Sequence, residues 1–137
     1  MSFCIAIDPG NKKCGLLLAD ANSRTVIDGG IASLNYFSDL ILSWNQYYQI
    51  SKIIIGDGTN SKYIGNKLNK KSILNLIYVN EKGSTLRARF RYWEIWPPNY
   101  FIRWLPKEML FPPENLDAIV ALILLEDFLN CKFSWPK

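Results

Sequence analysis

The sequence predicts an α/β domain built on a mixed five-stranded sheet, three antiparallel strands followed by two parallel ones, flanked by helices. Three observations predict it. Three short apolar runs follow one another near the N-terminus with only turn residues between them; strand-like and helix-like apolar patterns then alternate; and a long apolar helix closes the pattern. Hydrophobic residues make up 49% and charged residues 20% of the 137, the balance of a folded protein, and the length suits one domain over residues 1–137.

Phe3 to Asp8 is almost wholly apolar and ends in Asp-Pro-Gly, which reads as a buried strand stopped by a turn. Cys14 to Asp20 and Thr25 to Ala32 are two further strands, separated by Ala21-Asn22-Ser23-Arg24, so the first three strands read as antiparallel neighbours. Tyr36, Phe37, Leu40, Ile41 and Trp44 recur at helical spacing and predict an amphipathic helix over Leu34 to Gln49. Lys52 to Gly56 is a strand, Ser61 to Asn69 a helix, Ile73 to Val79 a strand and Ser84 to Glu94 a helix. Helices between strands act as crossovers that align those strands parallel. Trp93 to Pro113 holds six aromatics and five prolines in 21 residues and is too proline-broken for a regular helix. Its Trp93, Trp96, Tyr100 and Trp104 suit packing beneath a long connection, stacking on unpaired bases, or a dimer face. Glu114 to Leu129 is the last helix, introduced by Pro112 and Pro113.

Absences narrow the chemistry. The chain has no histidine, which excludes Ser-His-Asp and Cys-His nucleophile pairs, a histidine general base and histidine-ligated zinc. Cys4, Cys14 and Cys131 are odd in number and lack Cys-x-x-Cys spacing, so they read as small buried hydrophobes. The longest clean apolar run, Ala118 to Leu125, is far short of the roughly 20 residues of a membrane span, and no basic leader precedes the first strand; a cytoplasmic protein is the expectation.

Charge is uneven. Residues 1–57 carry four Lys or Arg and five acids, residues 58–107 ten and two, and residues 108–137 two and five. Lys62, Lys67, Lys70, Lys71, Arg87, Arg89 and Arg91 in the basic middle third can track a phosphate backbone or line ordinary solvated helix faces. The acids mostly lie elsewhere. Asp8 ends the first strand, Asp57 the fourth, and Glu81 follows the fifth. These three strands are predicted to be parallel, so their acids meet at one sheet edge, where α/β folds bind ligands. Glu114 and Asp117, three residues apart at the start of the last helix, share a face and can approach the same edge. An Asp before Pro-Gly can also be a turn former, and an acid in a first helical turn can simply complement the dipole. As a set, though, such crowded carboxylates need neutralising, and Mg2+ or Mn2+ is the natural agent. Two such ions about 4 Å apart clamp a phosphodiester in line, without any histidine.

Ile-Asp-Pro-Gly-Asn-Lys-Lys-Cys-Gly (7–15), Asn-Glu-Lys-Gly-Ser-Thr-Leu-Arg-Ala-Arg (80–89) and Leu-Asp-Ala-Ile-Val-Ala-Leu-Ile-Leu (116–124) resemble, in order and spacing, the three signature segments of YqgF proteins. This is a family of Holliday junction resolvases related to RuvC with an RNase H-like fold, and the resemblance spans essentially the whole chain. The Arg-Tyr-Trp and Pro-Pro elements between residues 91 and 113 are similar to its cyanobacterial-type branch. The resemblance implies Asp8 as the first-strand metal ligand, Glu81 as the Glu of the Asp-Glu-Arg segment and Asp117 as the acid of the last helix, all three catalytic. Asp57 resembles the strand-end acid of RuvC resolvases, and Glu114 the earlier member of their last-helix acidic pair. Asn80 and Lys82 depart from the family's acid and Arg. Gly56-Asp57-Gly58-Thr59-Asn60-Ser61 is similar instead to a stretch of YqgF-like domains in Tex-type transcription accessory proteins, where the catalytic acids are lost.

The expected function is thus a metal-dependent endonuclease acting on structured nucleic acid, either branched DNA or the 5′ end of precursor 16S rRNA, with Mg2+ or Mn2+ as cofactor. Lys12, Lys13, Thr59, Lys62, Ser84, Thr85, Arg87 and Arg89 are the residues expected to hold phosphates, unless Ser84 serves only as a helix cap. Junction cutting would call for a homodimer with two related sites. The alternative is an RNase H-like nucleic-acid-binding module without catalysis. An actin-like phosphotransferase also begins with Asp-x-Gly, but it needs two such domains around its nucleotide.

Overall fold

The computed structural model describes residues 2–58, 60–71, 73, 75–81, 83–97 and 116–136. The elements run β1 (Phe3–Pro9), β2 (Lys13–Asp20), β3 (Thr25–Ser33), α1 (Phe37–Tyr47), β4 (Ile50–Gly56), α2 (Ser61–Lys70), β5 (Leu76–Val79), α3 (Ser84–Ile95) and α4 (Asp117–Leu129). The sheet order is β3-β2-β1-β4-β5. β1 pairs antiparallel with β2, and β2 with β3; β4 lies parallel to β1, and β5 parallel to β4. This is the mixed sheet that the sequence predicts. It brings the carboxyl ends of β1, β4 and β5 to one edge.

Alternation along the strands builds two apolar layers, because successive side chains leave a strand on opposite faces. Ile5, Ile7, Leu16, Leu18, Ile53 and Ile55 pack with Phe37, Ile41 and Trp44 of α1 and Ile64 and Leu68 of α2. Cys4, Ala6, Leu17, Ala19 and Ile54 face the other way, onto Ala121, Leu122, Leu124 and Leu125 of α4. α3 then packs outside α4 through Ala88, Tyr92 and Trp93 against Ile119, Val120 and Ile123. Sandwiched between sheet and helix, α4 is buried along its whole run from Ala118 to Glu126, which explains why it is apolar on all sides. Cys4 and Cys14 are buried and Cys131 half-buried, all three as free thiols. Among the described residues no helix is long and apolar enough to cross a membrane.

Two boundaries differ from expectation by three residues. α1 begins at Phe37 rather than Leu34: the amide of Leu34 donates to Lys12 O and that of Tyr36 to Ser33 O, so the intervening residues form a turn tied to the β1–β2 connection. β5 begins at Leu76 rather than Ile73: Asn75 has φ of 67°, which interrupts an extended chain, and Ile73 is spent in the α1–α2 core. α4 is described from Asp117; Glu114, together with Tyr100 and Trp104, lies outside the described residues.

Candidate active site

Strand alternation puts Asp8 on the α4 face of β1, in phase with Cys4 and Ala6. Opposite it in the sheet stands Gly15, and a side chain there would run into the Asp117 carbonyl, with Ala118 N at 3.0 Å. The glycine lets the first turn of α4 descend onto β2, and so brings Asp117 to Asp8. Glu81 reaches the same edge from the turn between β5 and α3. Its backbone is fixed twice: the amide faces Asp57 Oδ1 at 3.4 Å, and the carbonyl accepts the Ser84 hydroxyl at 2.6 Å.

The electrostatics follow from crowding. Burial, the charges of Glu81 and Asp117, and a hydrogen bond to Glu81 push the Asp8 carboxyl up to about 7. Burial and the charge of Asp57 raise Glu81 as well, while the hydrogen bond from Asp8 opposes that rise. Burial, followed by the charges of Asp8 and Asp117, pushes the neighbouring Cys14 thiol up to about 12, which leaves it inert. Asp8, Glu81 and Asp117 therefore form one electrostatic group, with Asp57 on its exposed flank beside Glu81.

A hard divalent cation suits this donor set in one specific respect. Glu81 Oε2 is buried without a hydrogen-bond partner, a costly arrangement that a cation would relieve. No group of three or more His, Cys, Asp or Glu that could hold a metal is gathered among the described residues. The fit thus lies in the Asp8–Glu81 pair, with Asp117 and Asp57 flanking it.

The basic residues divide. Lys12 and Lys13 line a cleft of about 610 Å³ together with Asp8, Gly10, Asn11 and Asp117, and Lys13 Nζ lies 3.9 Å from Asp117 Oδ2. Asn60, which has φ of 66° at the N-cap of α2, donates to Gly10 O at 2.7 Å and holds this loop against the helix. Lys62, Lys70 and Lys71 are exposed on or just after α2, Thr85 is exposed on α3, and Arg89 is half-buried. Thr59 lies outside the described residues.

Other positions have duties that sequence spacing does not reveal. Ser84 is 4% exposed, its hydroxyl bonds back to Glu81, and Gly83, with φ of 75°, is the N-cap of α3. Arg87 is held by Asp127 through two hydrogen bonds of 2.6 and 2.8 Å. Arg91, expected on the basic surface, is instead 8% exposed and bonded to both Glu126 oxygens and to Phe133 O. Lys67 donates to Leu34 O and lies over the Phe37 and Tyr63 rings. Trp93 is buried in the α3–α4 layer and Trp96 packs against Tyr92 and Trp135, so both belong to hydrophobic packing.

No family model matches the chain, and no curated protein does. Among solved structures, T. thermophilus RuvC in complex with a Holliday junction substrate matches with a TM-score of 0.52 at 12% identity, over 97% of this chain and 99% of that one. An Aquifex aeolicus member of the Ppx/GppA family matches with a TM-score of 0.43 at 9% identity over 72% of this chain, which spans 41% of that protein. The likeness to RuvC establishes an RNase H-like fold.

Proposed function

We propose that this protein is a divalent-metal-dependent endonuclease that hydrolyses phosphodiester bonds in structured nucleic acid, akin to the YqgF and RuvC resolvases. The observation that carries the reading is the Asp8–Glu81 pair: two partly buried carboxyls at the ligand-binding edge of the sheet, both pushed upward, one with an orphaned oxygen. A stable fold keeps such a charge cluster only with compensation, and a cation supplies it. The fold shared with a protein solved on a Holliday junction adds to the reading.

In this reading Asp8 and Glu81 hold Mg2+ or Mn2+, with Asp117 and Asp57 as flanking acids and Glu114 completing the set. The bound metal supplies the Lewis acidity that activates water and stabilises the leaving oxygen. The chain's own residues orient the substrate. Lys12 and Lys13 hold phosphates in the cleft beside Asp8, and Lys62, Thr85 and Arg89 continue the contact outward, with Thr59 proposed from the sequence as a further phosphate contact. Arg87 contributes only by exchanging its Asp127 partner for a phosphate. Ser84 serves the site indirectly, by fixing the Glu81 backbone.

The substrate is branched DNA, cut by a homodimer, or the 5′ end of precursor 16S rRNA, processed by a monomer. A nucleic-acid-binding module without catalysis is the second reading; the lack of a gathered three-ligand group among the described residues favours it. The experiment is cleavage of labelled four-way DNA junctions, duplex DNA and precursor-rRNA-like RNA with Mg2+ or Mn2+, by wild type and Asp8→Asn. Cutting of one substrate by wild type only establishes the nuclease and its substrate class. Binding without cutting by either protein makes the module the right reading.

A further inference from the structure

We infer that Gly58, backed by Gly56, is the positioning residue of the acid pair: the Gly-Asp-Gly stretch after β4 is a seat shaped for the Glu81 carboxyl. Among the described residues the only glycine with positive φ is Gly83. The backbone at Gly56 and Gly58 therefore accepts any L residue, and conformational freedom does not explain the glycines. Space does. The three atoms nearest a Cβ built at Gly58 all belong to Glu81: Oε1 in direct collision, Cδ at 2.7 Å and Oε2 at 3.3 Å. A Cβ at Gly56 would strike Glu81 Oε2 and meet Leu124 Cδ1 at 3.1 Å and Pro9 Cδ at 3.3 Å.

The Glu81 carboxyl thus lies directly on two bare Cα positions. That closeness holds Oε2 buried and leaves the carboxyl beside Asp8. The three atoms closest to a methyl at position 58 all belong to the end of a flexible side chain, which gives way more readily than the main chain. Glu81 moves, and the acid pair opens. The inference rests on the proposed reading of that pair as the cation-binding group, and it assigns Gly58 a role that its chemistry alone does not suggest.

The test uses the full chain with Gly58→Ala, Glu81→Asp, Glu81→Ala and the two double variants. Mn2+ binding is measured by calorimetry, metal-free melting by circular dichroism, and cleavage on whichever substrate the wild type cuts. Gly58→Ala is expected to melt within a few degrees of wild type yet bind Mn2+ at least tenfold more weakly. In the Glu81→Asp background, where the shorter acid leaves room for the methyl, the same change alters binding less than twofold. In the Glu81→Ala background it changes melting no further. Wild-type-like Mn2+ binding by Gly58→Ala overturns the inference alone, as does an equal loss in the wild-type and Glu81→Asp backgrounds, since the glycine then serves the loop. Failure of the wild type itself to bind Mn2+ overturns the nuclease reading, and this inference with it.

Discussion

Asp8 and Glu81 are paired at the sheet edge: the Asp8 carboxyl is pushed up to about 7, and Glu81 is raised by burial and by the charge of Asp57, a rise that the hydrogen bond from Asp8 opposes. The folded state thus binds a proton at Asp8 that the unfolded chain, titrating near 3.8, has already released. Asp8 therefore supports the fold fully below pH 4, and that support is lost as pH rises through about 7. In the absence of divalent ions, Asp8→Asn should equal wild type at pH 4 and exceed it at pH 8 by about 2 kcal/mol, allowing for solvent screening at a site that stays partly open. Urea denaturation at the two pH values measures the difference. Equal stability at both values would show that Asp8 carries no desolvation cost.

Metal binding runs in the opposite direction. The cation competes with the proton on Asp8, so Mg2+ should raise the melting temperature more at pH 8 than at pH 6. A ligand at a hundred times its dissociation constant adds about 2.7 kcal/mol. Chelation with EDTA should reverse the gain, and Asp8→Asn or Glu81→Gln should remove most of it. Thermal melts across a Mg2+ series at both pH values check this. A shift of equal size at both values would place the ion away from Asp8.

Strand ends, crossover order and the apolar last helix were legible in the sequence because each is a local pattern. Asp8 could be placed for the same reason: it ends a short apolar run before Pro-Gly. What was not legible is set through space. Nothing in Gly-Asp-Gly says that both glycines carry a carboxyl arriving from residue 81. Ser84 sits where a helix cap is expected, yet Gly83 takes the cap and Ser84 turns back to Glu81. Arg87 and Arg91 share a helix and a residue type, and spacing gives no sign that the second faces Glu126, 35 residues on.

That contrast yields a stability prediction. Arg91 and Glu126 are nearly sealed from solvent and also hold both backbone groups of Phe133, whereas Arg87 and Asp127 are about half exposed. Removing one partner of a buried pair strands the other charge, at about 3–5 kcal/mol; an exposed pair contributes less than about 1 kcal/mol. Arg91→Ala should therefore destabilise the fold severely and Arg87→Ala barely, as read from denaturant midpoints. Similar losses for both would mean that the C-terminal segment is not pinned through Arg91.

Nucleic-acid affinity should follow exposed charge rather than charge in the sequence. Lys12 and Lys13 in the Asp8 cleft and Lys62, Lys70 and Lys71 along α2 face solvent, whereas Arg91 is committed inside and Lys67 is tied to Leu34 O. Each phosphate contact releases counterions, so every lysine that makes one contributes about 0.7–0.9 to the slope of log affinity against log salt. Lys62→Gln with Lys70→Gln should lower that slope by roughly 1.5 and weaken all sequences alike. Lys67→Gln should leave it nearly unchanged. Fluorescence anisotropy over a salt series with Ca2+ replacing Mg2+ reads both. A slope that falls with Lys67→Gln and holds with the other pair would reverse the assignment, placing the phosphates on the α1 side of α2 and leaving its outer face to ordinary solvent.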